Sequence, residues 1–405
     1  MAVEPAWEEL LGSKDWEGLV DPLNLSLRKL ILRCGNFCQG TYDAFDNDEF
    51  SKYAGSSRYG KKSFFQKVKL ESASDYQVQS FLYATTEVGF AQAIFLHSLS
   101  HDSWDRESNW IGYIAVTTDE VSQALGRREI YIAWRGTITG YEWVNDLVDG
   151  LEPIDELLHK ETSEEADEKV PKVMGGWLKL YVSSNPDSSF TKFSARTQLR
   201  SKIQELRNQY KDEKLSIIVT GHSLGGSLAT LSAFDLVENG ITDIPVAAIV
   251  FCCPHVGEQN FVDRVKKYPN LKVLHIKNEQ DLFPKYPLAI LGYRSLGTKL
   301  ELDNNKSPNL KASTNPLDWH NLEALLHTVA GWNGATQAFE LKVQRSLALV
   351  NKSSGILKDE NLIPSSWWVV ENKGMILDEK GEWILAPADA EDVPKPEAIS
   401  SDKLP

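Results

Sequence analysis

The sequence predicts an α/β fold with a mostly parallel central sheet and helices on both of its faces, and three observations carry that prediction. Ile217-Ile218-Val219-Thr220, a run of β-branched residues, leads straight into Gly221-His222-Ser223-Leu224-Gly225, and Ser227-Leu228-Ala229 then opens a helical pattern. Residues 245–254 form a nearly unbroken apolar run, the signature of a strand covered on both faces. From residue 83 onward, strand-like and helix-like segments alternate, as parallel sheets require.

With 405 residues the chain can bury a large core. We divide it into an N-terminal cap (1–82), an α/β core (83–335), a C-terminal helix and hairpin extension (336–386) and an acidic, proline-bearing tail expected to be disordered (387–405). A formal net charge of -14 argues against nucleic acid and against a polybasic grip on anionic membranes, since both need a positive field. Any lipid contact must then be apolar and local. The first twenty residues carry Glu4, Glu8, Glu9, Asp15 and Glu17 against Lys14 and no apolar run, which is neither a transit peptide nor a signal peptide. Residues 246–253, the longest apolar stretch, are too few to span a bilayer, so the expected location is the cytoplasm. Cys34, Cys38, Cys252 and Cys253 make no disulfide framework. Cys34 and Cys38 have the spacing of half a metal site, but no pair completes it, and no metal is expected.

In chain order, Trp7, Leu10, Leu11 and Trp16 mark a short amphipathic start, and residues 27–35 have apolar positions at helical spacing. Tyr53, Tyr59, Phe64 and Phe65, set among Gly and Ser, suggest an irregular stretch pinned by aromatics. Residues 110–117 and 128–134 alternate as strands, joined antiparallel by a turn at 125–127, and the second delivers Arg135-Gly136-Thr137 to the sheet edge. Residues 138–151 place Tyr141, Trp143, Val144, Leu147 and Leu151 on one helical stripe beside Glu142, Asn145, Asp146 and Asp149. This is either an ordinary half-buried helix or an amphipathic lid that opens at a lipid surface. Residues 155–172 are a charged loop, 191–210 a helix, 271–277 a strand, and 295–317 a polar surface loop. A helix opens at 319–327, an amphipathic helix is expected at 339–349, and 375–377 with 383–385 read as a hairpin.

Gly-x-Ser-x-Gly between a buried strand and a helix is the context of a nucleophile elbow, a turn so tight that side chains at Gly221 and Gly225 would clash. Ester hydrolysis through such a serine needs a base, an acid that orients the base, and donors for the oxyanion. In α/β-hydrolases the chain order is serine, acid, histidine. Asp281, just after a strand, is the candidate acid, with Glu279 and Asp303 as rivals. His320 is preferred as base because it stands at a loop-to-helix junction; His327, two turns further on, is the alternative. His222 is expected to point away from the nucleophile's side and pack beneath the lid. The N–H of Leu224 and the N–H and hydroxyl of Thr137 are the candidate oxyanion donors.

Five ordered motifs within residues 83–332 resemble the class 3 lipases, and more narrowly their plant cytosolic phospholipase A1 group. They are Tyr-Ile-Ala-Trp-Arg-Gly-Thr (131–137), Glu-Trp-Val-Asn-Asp-Leu (142–147), Val-Thr-Gly-His-Ser-Leu-Gly-Gly (219–226), Asp-Leu-Phe-Pro-Lys-Tyr-Pro (281–287) and Trp-His-Asn-Leu-Glu-Ala-Leu-Leu-His (319–327). The resemblance implies an α/β-hydrolase of the lipase class 3 type that cleaves the sn-1 acyl ester of glycerophospholipids at a membrane or micelle surface, with no cofactor. It implies Ser223 as nucleophile, Asp281 as acid, His320 as base, Thr137 and Leu224 in the oxyanion hole, and a lid carrying Trp143, Val144 and Leu147. Galactolipid or triacylglycerol hydrolysis by the same residues is the enzymatic alternative. A non-catalytic lipase-like scaffold is the other, although the residues after Trp332 are too few for a large partner-binding domain.

Overall fold

The computed structural model describes residues 4–85, 95–137, 150–159, 169–368 and 375–399. Its centre is a seven-stranded sheet in the order β1 (Tyr76–Ala84), β2 (Asn109–Thr117), β3 (Arg128–Trp134), β4 (Leu215–His222), β5 (Val246–Phe251), β6 (Leu271–Asn278) and β7 (Thr298–Leu302). β2 runs antiparallel to β1 and β3, and every later pair is parallel. Alternate side chains feed two cores. Ile130, Ile132, Trp134, Ile217 and Val219 pack on one face, and Tyr131, Ala133 and Ile218 on the other.

Helix α1 (Leu25–Asp43) covers the second face with α5 (Leu322–Gly331), while α2 (Gly175–Val182), α3 (Ala195–Gln209) and α4 (Leu224–Glu238) cover the first. Asn24 starts α1 by accepting hydrogen bonds from Ser26 and Leu27. Leu27, Ile31, Cys34 and Cys38, spaced three or four apart, line its fully buried stripe. The N-terminal segment is thus a layer of the fold, and it contributes β1 as well, so the sheet begins inside the stretch assigned to the cap.

Several local expectations change. A helix, Asp119–Leu125, rather than a tight turn, joins β2 to β3, and Gly126 ends it at φ 66°. β7 lies within 295–317, the stretch expected to be loop. Its Leu300 and Leu302 point inward while Lys299 and Glu301 face water, a two-residue alternation too short to stand out among Gly, Asn and Pro. The helix expected at 339–349 is absent, and only a single 3-10 turn, Leu347–Asn351, forms. The side chains there serve separate anchors instead: Phe339 packs on His327, and Arg345 pairs with Glu323. The hairpin forms with Met375–Leu377 paired to Trp383–Leu385. The tail expected to be disordered is described to residue 399 and packs on the N-terminal layer. Asp392 accepts from the Gly60 N–H at 2.8 Å and pairs with Lys67, while Glu397 accepts from the Phe81 N–H of edge strand β1 at 3.0 Å and pairs with Lys61. Composition alone misses this because the acidic groups meet cations and an open strand edge that only the tertiary fold supplies.

Candidate active site

Parallel strands end on the same edge, so β3, β4 and β6 deliver Thr137, Ser223 and Asp281 to one place. β4 stops at His222, α4 starts at Leu224, and Ser223 between them sits at φ 59°, ψ -130°, a strained conformation for a residue with a side chain. The turn closes through Ser223 N–H to Phe251 O and Gly226 N–H to Ser223 O, each 2.9 Å. A Cβ on Gly221 would stand 2.1 Å from the Gly225 carbonyl oxygen, and one on Gly225 would stand 2.3 Å from the Trp134 oxygen. Both glycines are therefore steric requirements of the elbow.

Asp281 follows the end of β6 by three residues, is 1% exposed, and accepts from the Phe283 N–H at 2.9 Å. Its other oxygen lies 2.7 Å from His320 Nδ1. A carboxylate oxygen accepts, so Nδ1 carries the proton and Nε2 keeps the lone pair a base needs. His320 stands between the short helix Pro316–Trp319 and Asn321, the N-cap of α5. Asn278 donates to the Trp319 carbonyl at 2.9 Å, and the Phe283 ring stacks on the imidazole at 3.9 Å between centroids. Ser223 Oγ and His320 Nε2 are both buried with no hydrogen-bond partner among the described residues, the looseness expected before substrate arrives.

The rivals lie elsewhere. Glu279 is exposed, and Asp303 accepts from Gln280 and Asn305. His327 bonds the Ser307 hydroxyl at 2.8 Å and packs on Phe339, and burial pulls its pKa down to about 4. Cys34 and Cys38 belong to no cluster of metal-ligand type among the described residues. The cluster present there joins His222, Cys252 and His320 within 4.8 Å. Its imidazoles are committed to other bonds, since both nitrogens of His222 and Nδ1 of His320 have partners, so the donor set does not suit a metal.

His222 supplies a support that sequence reasoning missed. Its Nε2 lies 2.9 Å from the His320 carbonyl oxygen and its Nδ1 lies 2.8 Å from the Tyr42 hydroxyl. Burial keeps this imidazole neutral, its pKa well below the usual value. The carbonyl can only accept, so Nε2–H donates to it and Tyr42 O–H donates to Nδ1. Tyr42, at the end of α1, thus holds the backbone of His320 through His222. Nothing in the local sequence around residue 42 signals this, because the contact spans 180 residues. Tyr42→Phe leaves a buried acceptor unmet, at a cost of about 1–3 kcal/mol. We expect kcat on a soluble ester to fall several-fold with KM held, in steady-state kinetics beside a thermal melt; a shift of the melt alone would reduce the contact to packing.

Leu224 occupies the first position of α4, where the N–H has no partner within the helix. Thr137 is half-buried just beyond β3. Gly136 lets that strand end abut the elbow, since a Cβ there would meet the His222 oxygen at 2.7 Å. Buried Arg135 donates to the Gly136 carbonyl at 2.9 Å and to the Trp110 carbonyl at 3.0 Å. In a trans peptide the N–H opposes the C=O, so Arg135 turns the Thr137 N–H away from itself. Burial, the dominant cause, lowers the guanidinium pKa to about 10. Trp143, Val144 and Leu147 of the expected lid lie outside the described residues.

Residues 131–290 match the family model described as Lipase (class 3). Phospholipase A1-IIdelta of Arabidopsis thaliana is 57% identical over 96% of this chain and 98% of its own length. The chain belongs to the class 3 lipase family. Within it, the chain groups with plant phospholipases A1-II: Phospholipase A1-II 5 of Oryza sativa subsp. japonica is 46% identical over 97% of this chain and 85% of that protein. Among solved structures, nonglycosylated Yarrowia lipolytica LIP2 lipase aligns at 17% identity and TM-score 0.45 over 68% of this chain and 79% of that one. As a class 3 lipase the chain is a carboxylic ester hydrolase of the serine type.

Proposed function

We propose that this class 3 lipase is a phospholipase A1, cleaving the sn-1 acyl ester of glycerophospholipids through Ser223, His320 and Asp281. The observation that carries the reading is the 2.7 Å contact of His320 Nδ1 with Asp281 beside the strained elbow. The relatives named phospholipase A1-II narrow the ester to a phospholipid. Ser223 Oγ attacks the acyl carbonyl as His320 Nε2 takes its proton, and Asp281 holds the imidazole and balances its charge. The Leu224 and Thr137 donors receive the oxyanion, and the loss of one such donor costs on the order of a hundredfold or more in rate. His320 then protonates the leaving lysophospholipid oxygen, and water activated by the same imidazole releases the fatty acid from the acyl-enzyme. In this reading a lid carrying Trp143, Val144 and Leu147 covers the site in water and opens at a lipid surface, whereas Leu151, expected on the same stripe, belongs to a short strand, Leu151–Pro153, paired with Lys172–Met174.

The test is phosphatidylcholine carrying distinguishable acyl chains at its two positions, with the released fatty acid identified by mass spectrometry. Release from sn-1 is expected. Release from a galactolipid or a triacylglycerol with phosphatidylcholine untouched would move the substrate class, and silence on all three would favour a non-catalytic scaffold. Four free, buried cysteines suit a reducing compartment, in line with a cytoplasmic enzyme, which imaging of a fluorescent fusion would test. Among the described residues no helix is long and apolar enough to cross a membrane.

A further inference from the structure

The loop after Asp281 leaves an unusual amount of apolar surface in water. Leu282, Tyr286, Leu288, Ile290 and Leu291 are all exposed, Ile290 by 89%. The loop is nonetheless held at both ends. Phe283 is buried against His320, the His255 N–H donates to the Tyr286 carbonyl at 2.7 Å, and the Arg294 N–H donates to the Gly257 carbonyl at 2.9 Å beside buried Tyr293. Between these anchors Ala289–Leu291 form one 3-10 turn, closed by Leu291 N–H to Leu288 O at 2.9 Å and Gly292 N–H to Ala289 O at 3.0 Å. The turn spends these backbone donors internally and offers aliphatic side chains outward, which is what an apolar medium tolerates.

Charge points to the occupant. Residues 282–300 hold Lys285, Arg294 and Lys299 and no acidic residue, in a chain whose net charge is -14. All three cations are exposed. Arg294 and Lys299 lie near enough to His255 to act on its charge, as does Lys277 of β6, which pairs with Glu301 at 2.8 Å, and His255 itself bonds the Pro287 carbonyl of the loop at 2.8 Å. An aliphatic tip on a segment whose charged side chains are all cations, on the loop that follows the catalytic acid, matches a bilayer with an anionic face. We propose that residues 282–299 dock the enzyme on anionic phospholipid membranes, with Leu288, Ile290 and Leu291 entering the acyl boundary and Lys285, Arg294 and Lys299 meeting headgroup phosphates and carboxylates. The proposal rests on the phospholipase reading and adds to it a membrane contact on the loop after Asp281, with a preference for lipid charge. This revises the expectation that lipid contact be apolar alone: the charge of -14 is summed over the whole chain, whereas screening confines the interaction to groups within about a Debye length of the surface.

The test uses the full chain as Ser223→Ala, so that vesicles survive, in sedimentation with phosphatidylcholine vesicles and with vesicles of phosphatidylcholine and phosphatidylserine. We expect tighter binding to the mixed vesicles, a loss of about ten- to hundredfold on adding Ile290→Glu, and loss of the anionic preference with Lys285→Glu and Lys299→Glu together. With Ser223 intact, Ile290→Glu should leave hydrolysis of a soluble short-chain ester unchanged while vesicle hydrolysis falls with binding. Unaltered vesicle binding by Ile290→Glu overturns the proposal. So does a dimer in light scattering that Ile290→Glu dissociates, which would make the patch a contact between copies. Vesicle binding that depends on Ile290 in a wild-type protein unable to hydrolyse any phospholipid would uphold the docking surface and sink the phospholipase reading instead.

Discussion

Ser223→Ala should lower phospholipid hydrolysis by about four to six orders of magnitude, the scale on which serine hydrolases lose rate without their nucleophile. The residue left behind cannot form an acyl-enzyme, so the remaining rate comes from bound substrate, the oxyanion donors and water. Folding should be nearly untouched. The Ser223 hydroxyl is buried without a hydrogen-bond partner among the described residues, and removing such a group relieves an unmet desolvation cost instead of breaking a bond. The backbone strain at φ 59° is the same for alanine as for serine. Initial rates on phosphatidylcholine, read beside a thermal melt, check both halves. A variant that melts like wild type and still hydrolyses at the wild-type rate would remove the nucleophile from the elbow.

The parts of this molecule legible in the sequence are those whose cause is local. The β-branched run of β4, the two glycines and the small residues opening α4 sit within a dozen positions, and the clash that requires Gly221 comes from the Gly225 backbone four residues on, although the one that requires Gly225 comes from Trp134 at the end of β3. Asp281 and His320 are legible one step less directly. Chain order and strand ends nominate them, but their 2.7 Å contact joins residues 39 apart: the parallel register of β4 through β6 brings Asp281 to the elbow's edge, and the Asn278–Trp319 bond fixes the segment bearing His320 there. What remained illegible depends on distant partners. Tyr42 looks like any aromatic at a helix end until its hydroxyl meets His222. β7 is too short to announce itself, and the acidic tail has the composition of a disordered segment until Asp392 and Glu397 reach backbone N–H groups at Gly60 and Phe81. Exposed Ile290 and its neighbours are invisible for another reason: an apolar run beside Pro in sequence is as compatible with burial as with display, and only the fold decides which.

The acid and the base give the second large effect. Asp281→Asn keeps the size of the side chain and an oxygen to accept from the Phe283 N–H, so the loop should keep its shape. What changes is the face toward His320. The new amide offers Nδ1 a donor where the carboxylate offered an acceptor, which favours the tautomer with the proton on Nε2 and leaves no lone pair for the Ser223 hydroxyl. The expected loss is about 10⁴-fold in kcat, with KM little changed. The two histidines separate the same way. His320→Ala removes the proton carrier and should match the Ser223→Ala collapse. His327→Ala breaks only the bond to Ser307 and a ring contact with Phe339, which should lower stability by about 1–3 kcal/mol and leave kcat near wild type below the melting transition. Steady-state rates for the three variants on one soluble ester decide the assignment: a dead His327→Ala with an active His320→Ala would mean that the base lies two turns further along α5.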